Sequence, residues 1–471
     1  MRKSVMRLRR HNRFSCVTNS AMSPQSPPYP FYCGADPVGF ANPTVNQRWP
    51  IILSQIAERI SSDRNGADTD SQHAVEGIKS ILDDIKHERS LQALLPDNIP
   101  DWNQWNKAIA QFFPHATFYS ASWLFAECYL YRRVYNVLRR SKGYENYDPF
   151  LVQKRESLLN SIDTMKDLVS RPVAVISSFH PELLRELFLL SLWGNATDLS
   201  MFAGMSSKEM GEMKQGSGES NIIANDLEDV CRYISTCSNV RIDFILDNSG
   251  FELFGDLLLA DYLHRTGLAG KTVFHCKTIP WFVSDTMPSD FHELLDLLEG
   301  SAKLSQHNVN CFETIVSRWR SYISDGSWVV TSHPFWCSFW AYRHLPDLAP
   351  GLYSELSSSQ LLIFKGDLNY RKLVYDCKFP ATTPFQLAIG EKLAQGPPLV
   401  ALRTNKSDPC VGLKSGLESR LSDMFVDWRW SGKFAVLQYS QGRKQGKDAR
   451  KVSLTQRVLD VCFQYETWTG N

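Results

Sequence analysis

The absences in this chain of 471 residues do the first narrowing. No apolar run approaches the roughly 20 residues that a helix needs to cross a bilayer. The formal net charge is only +1, so there is no global electrostatic pull toward nucleic acid or a membrane surface. The 11 cysteines are scattered, with no Cys-x-x-Cys pair and no Cys/His spacing of the zinc type. Reduced thiols in a cytosolic or nuclear protein are the simpler reading. No Gly-x-x-x-x-Gly-Lys-Ser/Thr loop is present, which argues against a P-loop nucleoside triphosphatase, and no Gly-x-Gly-x-x-Gly dinucleotide fingerprint occurs. No internal repeat is evident.

What remains is an ordinary globular composition, 43% hydrophobic and 21% charged, enough for one large or two moderate domains. Met1 to Ser26 carries six Arg and Lys residues and no acidic one. It reads as a basic disordered leader; an organelle transit peptide, or a start at Met22, are the alternatives. The expected location is cytoplasmic or also nuclear, with mitochondrial targeting by the leader ranked lower. Residues 27–200 carry a mainly helical pattern. Trp49 to Leu53 opens one helix, Ala74 to Ile85 marks another, and Trp123 to Arg133 reads as a core helix whose arginines reach the surface. Pro181 to Trp193 ends at Gly194, which fits a glycine stop. Residues 201–225 read as a flexible insertion, residues 226–442 as an α/β domain, and residues 443–471 as a tail.

Within 226–442, short apolar runs alternate with helical patterns, as in a parallel α/β sheet. Val240 to Leu246 has the residue types and length of a buried strand, and Gly250 permits the tight turn into a helix from Phe251 to His264. Between them stand Asp247 and Asn248. A carboxylate beside an amide carbonyl suits a hard divalent cation. The same pair is also consistent with a helix cap and a turn, so the hexapeptide alone leaves both readings open.

The later strand candidates are Lys271 to Lys277, Trp328 to Thr331, Leu361 to Lys365 and Leu399 to Leu402. If all five strands are parallel, their ends bring Asp247, Asn248, Asp285, Asp367, Asn369, Arg371, Arg403 and Lys406 to one rim, where open α/β sheets bind ligands. Acidic groups there would hold a cation, while Arg371 and Lys406 would clamp a phosphate. Asp367 is a candidate base. His333, with no second histidine at ligand spacing, reads as a hydrogen-bonded loop residue rather than a ligand.

Four ordered motifs carry a resemblance: Asp247-Asn248-Ser249-Gly250-Phe251-Glu252 with Asp256, the Ile279 to Asp285 loop, Lys365 to Lys372, and Arg403-Thr404-Asn405-Lys406. Together they resemble the damage-control phosphatase family, first catalogued as domain of unknown function 89. The Arg-Thr-x-Lys motif points to its third subfamily, which includes sugar-phosphate phosphatases and an acidic-residue methyltransferase homologue.

The resemblance implies an N-terminal helical region packed on a C-terminal α/β/α sandwich with a mostly parallel sheet. It also implies a phosphatase dependent on Mn²⁺ or Ni²⁺, with Mg²⁺ or Co²⁺ as substitutes. Asp247, Asn248 and Asp285 would hold the metal. Asp247, Asn248, Asp367, Leu368, Asn369, Tyr370, Arg371 and Lys406 would face the substrate. Asp247 and Asp367 are the catalytic candidates, with Glu252, Asp256, Asn195 and Arg403 in support behind them. The implied substrates are fructose 1-phosphate and fructose 6-phosphate, with no nucleic-acid or membrane partner. The alternative is a methyltransferase that esterifies protein glutamates using S-adenosylmethionine. Against it, no glycine-rich loop follows the first strand of an α/β unit to cradle an adenosyl ligand.

Overall fold

The structure is a computed structural model that describes residues 27–63, 69–170, 177–194, 219–304 and 310–443. The basic leader, Asn195, most of the 201–225 segment and nearly all of the tail lie outside the described residues. A seven-stranded sheet runs in the order β1-β7-β6-β5-β2-β3-β4. Its strands are β1 (Ile222–Asn225), β2 (Val240–Ile245), β3 (Ala269–Cys276), β4 (Trp328–Ser332), β5 (Leu361–Lys365), β6 (Leu399–Thr404) and β7 (Ala435–Ser440). From β4 through β6 every neighbouring pair is parallel, whereas β7 is antiparallel to β6. The five strands read from sequence thus form the parallel body of the sheet.

β2 lies between β3 and β5. The chain therefore winds outward from β2 through β3 to β4, then returns to the other side of β2 and winds outward through β5 and β6. The reversal puts the carboxyl ends of β2 and β5 side by side, at the switch point where doubly wound sheets form a crevice.

Both faces of the sheet are covered, which explains the unbroken apolar runs. In β5, Leu361 and Ile363 join the core beneath helices Pro181–Trp193 and Phe251–Arg265, while Leu362 and Phe364 join the core on the opposite face. A third core belongs to the helical region and includes Trp49, Trp105, Trp123 and Phe125. It extends onto Ile279 and Trp281 after β3 and Leu368 after β5. The helical region is thereby seated over the strand ends.

Four local expectations need correction. Ile222–Asn225 belongs to the sheet as edge strand β1, paired with β7, and not to a flexible insertion. Four residues at an edge give too short an alternation to read. β7 escaped notice for a related reason: both its faces are buried, so no period-two pattern marks it. Gly194 has φ −56° and makes no left-handed stop. It is small because a Cβ there would lie 2.9 Å from the Cα of Glu252, where two helices meet. Finally, seven described cysteines are free thiols, but Cys33 is disulfide-bonded. Among the described residues, no helix is long and apolar enough to cross a membrane.

Candidate functional site

The end of β2 is fastened to the loop after β3 by backbone pairing. The Thr286 N–H donates to the Asp247 carbonyl at 2.7 Å, the Ser249 N–H donates to the Ser284 carbonyl at 2.8 Å, and Asn248 and Asp285 form an isolated antiparallel bridge. Lys277 adds a side-chain tie, its Nζ donating to the Leu246 carbonyl at 2.7 Å. These contacts bring the three oxygen-bearing side chains Asp247, Asn248 and Asp285 to one wall of a cavity. Helix Phe251–Arg265 begins at Gly250, with φ +76° and no side-chain cap. Asp247 is therefore not a capping residue, which removes one of the two readings left open by the sequence.

Buried negative charge dominates this wall. Asn248 Nδ2 donates to Asp247 Oδ2 at 2.6 Å and to Glu252 Oε2 at 2.8 Å, while its Oδ1 accepts from the Ser284 hydroxyl. Burial pushes the Asp247 carboxyl well above the usual range, and the Asp285 and Glu252 charges push it further. Burial likewise raises Asp285, against the opposing pull of Lys277, whose Nζ lies 3.0 Å from Asp285 Oδ2. Behind them Lys365 Nζ pairs with Glu252 Oε1 at 3.1 Å and Asp256 Oδ1 at 3.0 Å, so the acidic wall rests on a buried lysine.

The β5 side supplies a helix, Gly366–Leu373, entered through Gly366 at φ +79°. Only glycine fits, because a Cβ would stand 1.8 Å from Asp247 Oδ2. Asp367 lines the cavity, and its Oδ1 accepts from Arg403 Nε at 2.8 Å, Ser407 Oγ at 2.9 Å and the Lys406 N–H at 3.1 Å. Burial alone would raise its pKa, but the Arg403 and Arg371 charges outweigh burial and hold it below the usual carboxylate range. A carboxylate held below the usual range in this way makes a weak base, and the base role expected for Asp367 does not suit its surroundings.

Arg371 also lines the cavity, yet each of its three nitrogens already bonds a carboxylate. Nη1 bonds Glu127 Oε2 at 2.5 Å, Nε bonds Asp376 Oδ1 at 2.9 Å, and the guanidinium carbon sits 3.9 Å from the Trp123 ring centre. The phosphate clamp expected of it is replaced by a buried structural ion pair. Asn369 and Tyr370 lie outside the cavity lining. Asn369 Nδ2 donates to the Lys365, Ile245 and Leu246 carbonyls, which braces the end of β2, and the Tyr370 hydroxyl donates to Gln438 Oε1 at 2.9 Å. Along an eight-residue helix only some positions can face one opening, so a contiguous motif overstated the contact. Arg403 also stays behind the wall, holding Asp367 and stacking over Tyr370. Among the expected residues, Asp247, Asn248, Asp285, Asp367, Leu368, Arg371 and Lys406 line the cavity. Glu252 is not part of the lining and stands behind it, bonded to Asn248.

The cavity holds about 450 Å³ and is closed on its far side by the helical region. Arg48, Gln55 and Arg59 face it, as do Glu127 and Lys154. Sequence reasoning missed these residues, and it missed Lys277 and Lys365. The two lysines terminate apolar strands, a legible signal. Glu127 lies inside the apolar Trp123 helix, which was read as a core element throughout.

The residues fit a hard divalent cation. The donors at the switch point are carboxylate and amide oxygens, and the buried Asp247 carboxylate faces the Asp285 and Glu252 charges, a local excess of negative charge that a cation would relieve. Among the described residues, no three His, Cys, Asp or Glu side chains form a metal-holding cluster by themselves, so the amide oxygen of Asn248 would be needed to complete the set.

The family model described as the damage-control phosphatase ARMT1-like domain matches residues 44–421. Relatives named damage-control phosphatase ARMT1 include one from Mus musculus, 31% identical over 439 residues, spanning 87% of this chain and 98% of its own. Those from Homo sapiens (31% over 438 residues, 86% and 97%) and Xenopus tropicalis (33% over 433 residues, 85% and 96%) are alike. A solved structure of a DUF89 family protein from Pyrococcus horikoshii is similar with a TM-score of 0.38 and 14% identity over 77% of this chain and 90% of that one. With the family model covering most of its length and relatives above 30% identity aligned nearly end to end, the chain belongs to the ARMT1-like damage-control phosphatase family.

Proposed function

We propose that this protein is a metal-dependent phosphomonoesterase that acts on small sugar phosphates such as fructose 1-phosphate and fructose 6-phosphate. One observation carries the reading: Asp247, Asn248 and Asp285 line the same cavity as Lys406, so hard oxygen donors and a cation meet at the switch point. Asp247, Asn248 and Asp285 would hold Mn²⁺ or Ni²⁺. The bound cation supplies positive charge to the phosphoryl oxygens and acidity to a water molecule.

The chain's own groups do the positioning. Asn248 holds the Asp247 carboxylate by its Nδ2, which orients the acid toward the cavity. Asp367 fixes the backbone of Lys406, so the Lys406 ammonium presents its charge to the phosphoryl group from a rigid turn. The hydrogen bonds that tie Asp367 down make it a positioning residue rather than a proton acceptor. The volume of about 450 Å³ accommodates a small phosphorylated sugar.

The test is release of inorganic phosphate by purified protein with Mn²⁺, run beside methyl transfer from labelled S-adenosylmethionine. Phosphate release from fructose phosphates with no methyl transfer is expected. Hydrolysis of neither fructose phosphates nor a generic aryl phosphate would sink the reading.

A further inference from the structure

Thr44–Arg48 forms a π-helical turn that runs directly into helix Trp49–Asp63, the Trp49 N–H bonding the Thr44 carbonyl. Such turns are uncommon and concentrate at functional sites. Arg48 closes this one. Arg48, Ile52, Gln55, Ile56 and Arg59 then recur at three- and four-residue steps, and all five line the cavity. Trp49 is buried beside them, and its indole N–H reaches Glu127 Oε1 at 3.4 Å, anchoring the turn to the Glu127–Arg371 pair.

The cations around the cavity differ in how they are employed. Arg371 is consumed by Glu127 and Asp376. Lys154 lies 2.7 Å from both Asp148 and Asp290. Arg59 Nη1 donates to the Pro149 carbonyl at 3.1 Å. Arg48 is different: its guanidinium makes no hydrogen bond or ion pair with the described residues, and it is exposed at the cavity wall. It lines the same cavity as Lys406.

We propose that Arg48 is a phosphate-binding residue, delivered by the helical region to meet the phosphoryl group opposite Lys406. It takes the part that sequence reasoning gave to Arg371. The inference rests on the phosphomonoesterase reading and deepens it. A guanidinium matches two phosphate oxygens through parallel hydrogen bonds, whereas Lys406 contributes a point charge, so the pair combines orientation with charge. A phosphate held this way bridges the helical region and the sheet.

The experiment uses the full chain with Mn²⁺, the variants Arg48→Gln and Arg48→Lys, and two probes, inorganic phosphate and fructose 1-phosphate. Arg48→Gln should raise the KM for fructose 1-phosphate and the inhibition constant of inorganic phosphate roughly ten- to hundredfold, the range expected for a lost charge-assisted hydrogen bond. Arg48→Lys should recover only part of this. Thermal protection by inorganic phosphate should fall in step, while the melting temperature without phosphate stays at the wild-type value because the side chain is exposed and unbonded. Unchanged KM and unchanged phosphate protection in Arg48→Gln would overturn the proposal, as would a large loss of melting temperature without phosphate. If the wild-type protein hydrolyses no phosphomonoester yet phosphate protects it in an Arg48-dependent way, the phosphatase reading fails and the anion site stands. If phosphate protects neither wild type nor variant, the anion site fails.

Discussion

The α-carbon of Gly366 lies so close to the Asp247 carboxylate that a methyl group there would stand 1.8 Å from Oδ2. Asp247 lies just past the end of one strand and Gly366 follows another, and the two strands are neighbours at the point where the sheet's winding reverses. Gly366→Ala therefore fails twice, by collision with Oδ2 and by a φ of +79° that costs an L-residue about 1–2 kcal/mol. The expected result is a lower melting temperature and at least a tenfold loss of Mn²⁺ affinity by titration calorimetry. Normal Mn²⁺ binding by a folded Gly366→Ala protein would show that the approach does not matter.

Glu127 and Arg371 pose a different problem, because their ion pair joins the helical region to the sheet and is buried on both sides. Removing one partner of such a pair leaves a charge without full compensation. Arg371 retains Asp376, so Glu127→Gln should cost about 2–3 kcal/mol, near or below the low end for a broken buried pair. Arg371→Lys should fare no better, since an ammonium cannot bond Glu127 and both Asp376 oxygens in the same plane. Urea unfolding curves measure both, and a shift under about 0.5 kcal/mol in Glu127→Gln would contradict the account.

These residues also mark the limit of what the sequence makes legible. Apolar runs bounded by turn residues revealed β2 to β6, and their polar ends revealed the cavity rim, because strand length and termination are local properties. Which rim residue faces the opening is not local. Asn369 and Tyr370 sit in the same motif as Asp367, but the helix rotates them into bonds with the Leu246 carbonyl and Gln438. Arg371 looked free until Glu127, 244 positions earlier, came to meet it. Arg48 lies still farther from the motifs, and only the docking of the helical region over the strand ends brings it to the cavity.

His344 gives the stability an acid limb. It is buried with its Nε2 3.1 Å from the Tyr375 hydroxyl, and burial pulls its pKa from 6.5 down to about 4. A depressed folded pKa means that its contribution is complete above pH 6.5 and is lost as pH falls through about 4. The full span is worth about 3 kcal/mol. In urea unfolding followed from pH 7.5 to 4.5, the wild type should lose stability more steeply than His344→Gln. Parallel pH profiles would remove His344 as the cause.

Asp408 has the opposite sign. Its Oδ2 accepts from the Phe40 N–H at 2.8 Å, where the start of the helical region meets the turn after β6. Burial raises its pKa to about 6, even though that hydrogen bond and the Arg429 charge both lower it. The folded protein therefore prefers Asp408 protonated, so its contribution is complete below pH 3.8 and is lost as pH rises through about 6. At neutral pH the buried carboxylate is a net cost. Asp408→Asn keeps one acceptor for Phe40 and carries no charge, so it should stabilise the protein by about 1–2 kcal/mol at pH 8, less than the full titration span because an amide offers one acceptor oxygen where the carboxylate offers two. The gain should vanish at pH 4, where the wild-type carboxyl is itself neutral in the fold. Urea midpoints for the two proteins at those two pH values settle the matter: a variant equally stabilised or destabilised at both would mean that packing, not the charge of Asp408, governs this junction.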